Sequence, residues 1–272
     1  MRYITISADP VLLHLGPLAI RWYSLAILTG IAVAIALSSR EARRKGLDPD
    51  LILSLSGWAV VGGILRARLF HVVDRFDAYR RDPAAILAIG RGGLVIYGAV
   101  LGGALATWLF ARRRGVPFAA LADTIAPGLV LAQGLGRIGC VFNGDAWGAP
   151  TTVPWAFVYT NPHAFIPPEL LGVPTQPYPL YDLALNLAIF ALLWRLRARP
   201  WPAGTLFLIY LTLYAASRFA LTFVRQERIW FWGLQEAQII ALLTLAGTLL
   251  VLIRRTWQRR SAARMFGDAG VA

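Results

Sequence analysis

LADTIAPGLVLAQGLGRIGCVFNGDAWG, Leu121 to Gly148, decides how the chain has to be read. Up to residue 142 it holds only two charged side chains, Asp123 and Arg137, among apolar and small ones. A helix of roughly 20 such residues crosses a hydrocarbon core of about 30 Å. The run ends in Asn143-Gly144-Asp145, a turn-prone triplet, followed by Trp147, an aromatic suited to a membrane interface. Gly134, Gly136 and Gly139 thin the helix surface around Arg137, so another helix or a ligand can approach its backbone.

Working outward, six further stretches have the same character, giving spans at about 19–39, 51–73, 94–111, 121–142, 180–196, 204–224 and 234–253. The 272 residues are 57% hydrophobic and 15% charged, with a mean hydropathy of +0.58. A soluble domain is about 25% charged, so this chain lacks the polar residues for an ordinary wet surface. The expectation is an all-α polytopic membrane protein of about seven transmembrane helices, one integral membrane domain over 1–272. No basic segment or small-residue cleavage site precedes the first span, which therefore reads as retained. One cysteine, Cys140, excludes an internal disulfide framework, and three scattered histidines argue against a metal site.

The net charge of +13 is mostly a topology signal. Fifteen basic residues fall in one set of loops, around Arg40–Lys45, Arg112–Arg114, Arg195–Arg199 and Arg254–Arg264. Eight fall in the other set: Arg2, Arg21, Arg75, Arg80, Arg81, Arg91, Arg225 and Arg228. Basic loops stay in the cytoplasm, which predicts an N-out, C-in chain and leaves nucleic acid as the weaker reading of the charge. The insertion 143–179 carries no Lys or Arg and eight prolines, too many for continuous helix. It is expected to form a small external cap of short strands and turns.

Four arginines remain inside the spans: Arg66, Arg68, Arg137 and Arg218. Such charges are costly there and usually face a bundle interior or a watery cavity. The predicted topology puts them all in the outer halves of their helices, at one level with Tyr23, Tyr97, Asn143 and Arg225. Arg66 could also snorkel to the interface and do nothing more. The acidic partners expected at that level are Asp145, Glu227 and Glu236, fewer than the arginines. A surplus of planar guanidinium forks suits a phosphate or carboxylate, and in an outer leaflet that anion is a phospholipid headgroup.

At these residues the chain resembles bacterial prolipoprotein diacylglyceryl transferases, in order and over roughly 16–257. GPLAIRWYSL (Gly16–Leu25) matches the family's start, with its tyrosine at Tyr23. Gly63-Ile64-Leu65-Arg66-Ala67-Arg68 matches a Gly-x-x-x-Ala-Arg signature, and GGLVIYGAVLGG (Gly92–Gly103) a third-span motif. Gly136–Gly148 matches the Gly-Arg-x-Gly, Asn-Gly-Glu/Asp and Trp-Gly signature. QPYPLYD (Gln176–Asp182) is a weaker counterpart of His-Pro-x-x-Leu-Tyr-Glu, while Arg218-Phe219 and Phe223-Val224-Arg225-Gln226 match the last motif.

The resemblance implies transfer of an sn-1,2-diacylglyceryl group from phosphatidylglycerol to the lipobox cysteine of a preprolipoprotein signal peptide. It also implies a multi-pass monomer of the bacterial cytoplasmic (inner) membrane, its site toward the outer leaflet, with no cofactor. Arg137, Arg218 and Tyr97 become the expected catalytic residues. Tyr23, Arg68, Arg137, Asn143, Asp145, Gly148 and Arg225 become the expected phosphatidylglycerol-binding residues. The chain departs from the family at Tyr97, where some members have a histidine, at Cys140 for asparagine, and at Asp145 for glutamate. Thr222 replaces a common acidic residue, and Gln176 and Pro179 break the fifth-span motif. A paralogue with another acceptor, or a transporter or flippase of an anionic lipid, would use the same arginines. A transporter should also carry polar groups through the inner half of the bundle or show two related halves; the sequence has neither.

Overall fold

The computed structural model describes residues 3–16, 18–88, 93–225, 229–231 and 233–267. Arg2, Arg91, Gly92, Gln226, Glu227 and Arg228, named above, lie outside the described residues. The long helices among the described residues are α1 (Trp22–Arg44), α2 (Asp50–Asp74), α4 (Ile96–Arg114), α5 (Phe118–Asn143), α6 (Tyr178–Leu196), α7 (Thr205–Leu221) and α8 (Glu236–Gly267). A short α3 (Phe76–Arg81) and a 3₁₀ turn (Pro83–Leu87) follow α2.

Five helices, α1, α2, α5, α6 and α8 as far as Gln258, are long and apolar enough to cross a membrane. The chain is a mostly helical, multi-pass membrane protein. Helix α7 is apolar but only 17 residues long. Arg112, Arg113 and Arg114 fill the last turn of α4, leaving Ile96–Ala111 as its apolar part. The outward faces are apolar as lipid requires: Leu28, Leu53, Leu65 and Leu243 are all exposed by more than 60%. Helix α5 is the most enclosed of the five, with 44% of its most apolar window buried against 11% in α1.

The helical expectation holds, and beside the helices a few short extended segments pair. Short strands also form: β1 (Ile4–Ile6), β2 (Val11–Leu15), β3 (Leu18–Arg21), β4 (Phe157–Tyr159), β5 (Ile229–Phe231) and β6 (Leu234–Gln235). They make three two-stranded sheets, β1 with β4 in parallel, and β2–β3 and β5–β6 as antiparallel hairpins. Residues 19–21, counted above into the first span, belong to β3; their backbone groups pair with β2 and the helix starts only at Trp22. Alternating or β-branched runs such as Ile4-Thr5-Ile6 favour this pairing.

The chain divides into two compact units, residues 35–125 and residues 1–34 with 126–272. In the smaller unit, α2 and α4 meet backbone to backbone. A Cβ on Gly62 would lie 2.6 Å from the Ala106 Cβ, and one on Gly98 2.7 Å from the Arg66 carbonyl oxygen. Between apolar helices in lipid, such close small-residue contact supplies most of the association energy. Its core joins Ala42, Ile52, Leu55, Phe110 and Leu121. Glu41 is buried beside it and pairs with Arg44 and Lys45; burial lowers the Lys45 ammonium below its ordinary pKa.

The larger unit crosses α1 and α5 through small residues as well. A Cβ on Gly139 would sit 2.9 Å from the Tyr23 Cα and from the Ala26 Cβ, and Trp22 stacks on Phe142 at 5.0 Å. Beyond α5, Gly144 turns the chain with φ +75 into the segment around β4. Phe157, Tyr159 and Ile166 form a small core there, joined by Ile6 and Trp147. Strand β1 adds itself along β4, and His163 Nδ1 lies 2.7 Å from Asp9 Oδ2. That hydrogen bond holds the Asp9 carboxyl below its ordinary pKa.

Candidate functional site: an arginine cluster on helix α6

Tyr178, Asp182 and Asn186 repeat every four residues at the start of α6 and therefore share one face of it. All three are buried, at 0%, 2% and 1% exposure. The face meets α5 where that helix is thin: a Cβ on Gly134 would lie 3.3 Å from the Asn186 Cβ. This close approach brings Arg137 Nε to 2.7 Å from Asp182 Oδ2. Asn186 Nδ2 donates to Asp182 Oδ1 at 2.6 Å and to the Asp182 carbonyl, so both carboxylate oxygens are engaged. A buried carboxylate and guanidinium offset their desolvation only when geometry and further hydrogen bonds are good, and here they are.

Arg137 is not alone. Arg218, at the end of α7, donates from Nη1 to the Tyr178 hydroxyl, which itself donates to Asp182 Oδ2 at 3.2 Å. Arg225, one segment later, lies over the same ring. The guanidinium carbons of Arg137, Arg218 and Arg225 stand 5.8, 5.8 and 4.9 Å from the Tyr178 ring centroid. Like charges about 8 Å apart repel by about 2 kcal/mol at an effective dielectric constant of 20. Gathering three of them therefore needs a compensating anion or electron-rich surface, and Asp182 and the phenol ring supply part of it.

Around Arg137 on α5, its Nη1 reaches the Cys140 sulfur only at 3.8 Å, a weak acceptor. Cys140 is buried, at 5% exposure, and also interacts with Asp145. Two oxygens here are buried with no hydrogen-bond partner among the described residues, Asn143 Oδ1 and Asp145 Oδ1. Native proteins rarely leave such groups unpaired, so they mark a place where a donor such as water or a substrate hydroxyl is expected. Tyr23 stands against Gly139, partly exposed, within electrostatic reach of Asp145 and Arg137. In the segment beyond, burial and the Asp145 charge raise the Tyr159 phenol above its ordinary pKa.

Gly148 has a steric explanation. A Cβ there would meet the Gln176 Cβ at 2.6 Å and the Val224 carbonyl oxygen at 3.0 Å. Its N–H donates to the Gln176 carbonyl, and the next N–H, of Ala149, donates to Val224. The glycine thus fastens the start of α6 to the end of α7, the two elements that bear Tyr178, Arg218 and Arg225. Gln176 continues the tie through Thr151 and Tyr181, which receives a bond from Trp155.

Arg68 and Tyr97 belong to the other unit. Arg68 is 7% exposed and spends its fork on backbone carbonyls: Nε on Ile86 at 2.9 Å, Nη1 on Gly93 at 3.1 Å, and Nη2 on Ala85. Gly93 has φ +76, and a Cβ there would strike the Arg68 guanidinium at 2.5 Å. Arg66 lies over the Phe70 ring at 5.9 Å, and Tyr97 is 39% exposed in the first turn of α4. The larger unit holds Tyr23, Arg137, Asn143, Asp145, Gly148, Arg218 and Arg225, and Arg68 and Tyr97 are in the smaller one.

Two expectations about partners change. The carboxylate paired with Arg137 is Asp182 rather than Asp145 or Glu236, and Glu227 lies outside the described residues. Thr222, at the position of a common acidic residue, is 1% exposed and bonds back to the Phe219 carbonyl, as a helix-ending threonine does. Tyr178 and Asn186 were not among the expected site residues at all. An intramembrane carboxylate at 182 with polar residues four positions to either side was the available signal.

A model of the prolipoprotein diacylglyceryl transferase family matches residues 10–254. The chain belongs to that family. A phosphatidylglycerol–prolipoprotein diacylglyceryl transferase of Nostoc sp. is 37% identical over 266 residues, 94% of this chain and 93% of that protein. One of the same name from Synechococcus elongatus is 40% identical over 256 residues, covering 91% and 87%. Another, from Symbiobacterium thermophilum, is 37% identical over 265 residues, 97% of each. In this family member, Arg137 and Asp182 form a buried ion pair beside Tyr178, with Arg218 and Arg225 against the same ring.

Proposed function

We propose that the protein transfers the sn-1,2-diacylglyceryl group of phosphatidylglycerol to the lipobox cysteine of a preprolipoprotein. The observation that carries this reading is the convergence of Arg137, Arg218 and Arg225 on one buried ring. In the reaction the cysteine sulfur forms a bond to the glycerol carbon as that carbon's bond to phosphate oxygen breaks. The thiol proton is given up, and glycerol phosphate leaves with one more negative charge than the diester carried. Guanidiniums fixed in a low-dielectric site stabilise that growing charge without reorganising.

In this reading Arg137 and Arg218 clamp the phosphate and stabilise the leaving group, and Arg225 adds charge from the end of the α7 segment. The open oxygens of Asn143 and Asp145 take the hydroxyls of the glycerol headgroup, with Tyr23 beside them. Gly148 holds the frame, and Arg68 serves the lipid indirectly, through the turn it fastens. Tyr97, in place of a histidine, is assigned to the thiol, whose deprotonated form is the nucleophile. No metal or organic cofactor is needed for these steps.

The proposal includes seven spans in one integral domain, N-out and C-in, with the 143–179 cap outside. It places a monomer in the bacterial inner membrane with its site toward the outer leaflet. The excess of basic residues in the loops after α1, α4, α6 and α8 supports that orientation. The test is incubation of the purified protein with phosphatidylglycerol and a lipobox peptide. Thioether-linked diacylglyceryl peptide and glycerol phosphate are expected. Lipid cleavage with a different acceptor would point to a paralogous transferase, and lipid movement without cleavage to a flippase.

A further inference from the structure

Pro177-Tyr178-Pro179 opens α6, and Tyr178 falls on a position that the His-Pro-x-x-Leu-Tyr-Glu motif leaves open. Nothing about the family motif calls for an aromatic residue there. Yet Tyr178 is fully buried and stands at the centre of the arginine cluster, with three guanidinium carbons within 5.8 Å of its ring centroid. Its hydroxyl accepts from Arg218 and donates to Asp182, which holds Arg137. The three arginines come from three separate segments: α5, the end of α7 and the stretch beyond it. Tyr178 lies against all three.

We propose that Tyr178 is the positioning residue of the anion site. Its ring holds the Arg137, Arg218 and Arg225 guanidiniums around one point before the lipid arrives. The π face of an aromatic ring carries partial negative charge and attracts cations most strongly where water is excluded. Arg137 and Arg225 against that face keep an N–H edge directed away from the ring, the geometry a phosphate needs for bidentate bonds, while Arg218 is held at the hydroxyl. The two prolines fix the backbone on either side, so the ring is presented by a stiff turn at the helix start. The phenol thus supplies an electron-rich surface that a second carboxylate would otherwise have to provide, without adding a full negative charge. Asp182 orients one arginine, and Tyr178 sets the spacing of all three. This assignment rests on the proposed phosphatidylglycerol reading and deepens it.

The test varies the ring's charge and not its size. Position 178 is filled in turn with tyrosine, phenylalanine and mono-, di- and trifluorophenylalanine, and with leucine as the non-aromatic control. Binding of dihexanoyl-phosphatidylglycerol in detergent and kcat/KM for transfer to a lipobox peptide are measured on each folded variant. The expected result is a graded loss along the phenylalanine series, with the trifluoro ring and Tyr178→Leu about tenfold or more weaker than Tyr178→Phe, which is itself weakened by loss of the hydroxyl contacts to Arg218 and Asp182. A flat fluorinated series would overturn the proposal, because a residue that only fills space is indifferent to fluorine. Graded lipid binding without transfer would leave Tyr178 in place and overturn the transferase reading. Native protein that binds no phosphatidylglycerol would overturn both.

Discussion

Arg68 and Arg137 are both arginines set in apolar helices and largely shielded from water, yet they are held by opposite means. Arg68 donates to the carbonyls of Ala85, Ile86 and Gly93, neutral acceptors that together tie down a turn. Arg137 is held at one nitrogen by Asp182 and against the face of Tyr178, in company with two more arginines. Sequence treats the two alike, as a charge where a charge is costly. The partners separate them: carbonyls absorb the hydrogen bonds of Arg68 and leave a structural clamp, whereas Arg137 pairs with a carboxylate and shares one ring with two more arginines. An intramembrane arginine therefore becomes a functional candidate by the company it keeps.

The sharpest way to break this contrast is Arg137→Ala. Loss of a preorganised donor to developing negative charge costs about 10²–10³ in rate, and the transfer assay should show at least that. The substitution also strands the buried carboxylate of Asp182, which costs about 3–5 kcal/mol of stability. Arg137→Ala combined with Asp182→Ala should regain much of the thermal stability and none of the rate, separating folding from catalysis. Arg218→Ala should lower the rate by about 10²; an unchanged rate would remove Arg218 from the clamp. Arg68→Ala should behave differently. A hydrogen bond from a charged donor is worth about 1.5–3 kcal/mol, so the melting temperature and the protease resistance of the 83–88 turn should fall when Arg68 is removed. The rate of the protein that remains folded should stay within about tenfold of native.

Much of this was legible in the sequence. Arg137 and Arg218 stand out because their apolar runs hold hardly any other charge, only Asp123 in the first and none in the second, and Gly139 and Gly134 announce close helix contacts that the structure contains. Asp182 was harder to see. It lies near the start of its helix, where a carboxylate can be taken for an interfacial residue, and only the four-residue spacing with Tyr178 and Asn186 points it inward. The acceptors of Arg68 had no signature, because a backbone carbonyl is common to every residue. Strands β1 to β3 escaped notice for a related reason: three- to five-residue strands stabilised by pairing with distant segments leave little local pattern.

The smallest expected effect lies at the contact between Asp9 and His163. Asp9 is held below its ordinary pKa by His163, so the contact contributes stability above the unfolded carboxylate pKa and loses it as the pH falls through the lowered folded value. The melting temperature of the native protein should exceed that of Asp9→Asn slightly at pH 6. That margin should close as the pH drops below about 4. A margin that persists to pH 3 would mean that the charge of Asp9 does nothing there.

The central claim is that the arginines gathered on Tyr178 stabilise the phosphate that leaves. Its most direct test is single-turnover transfer from labelled phosphatidylglycerol to a lipobox-cysteine peptide, run side by side on native protein, Arg137→Ala and Arg68→Ala, with each variant shown to be folded. Native protein should yield thioether and glycerol phosphate, Arg137→Ala should be slower by at least about 10², and Arg68→Ala should remain within about tenfold. Equal rates for native and Arg137→Ala protein, or a larger loss in Arg68→Ala, would contradict it.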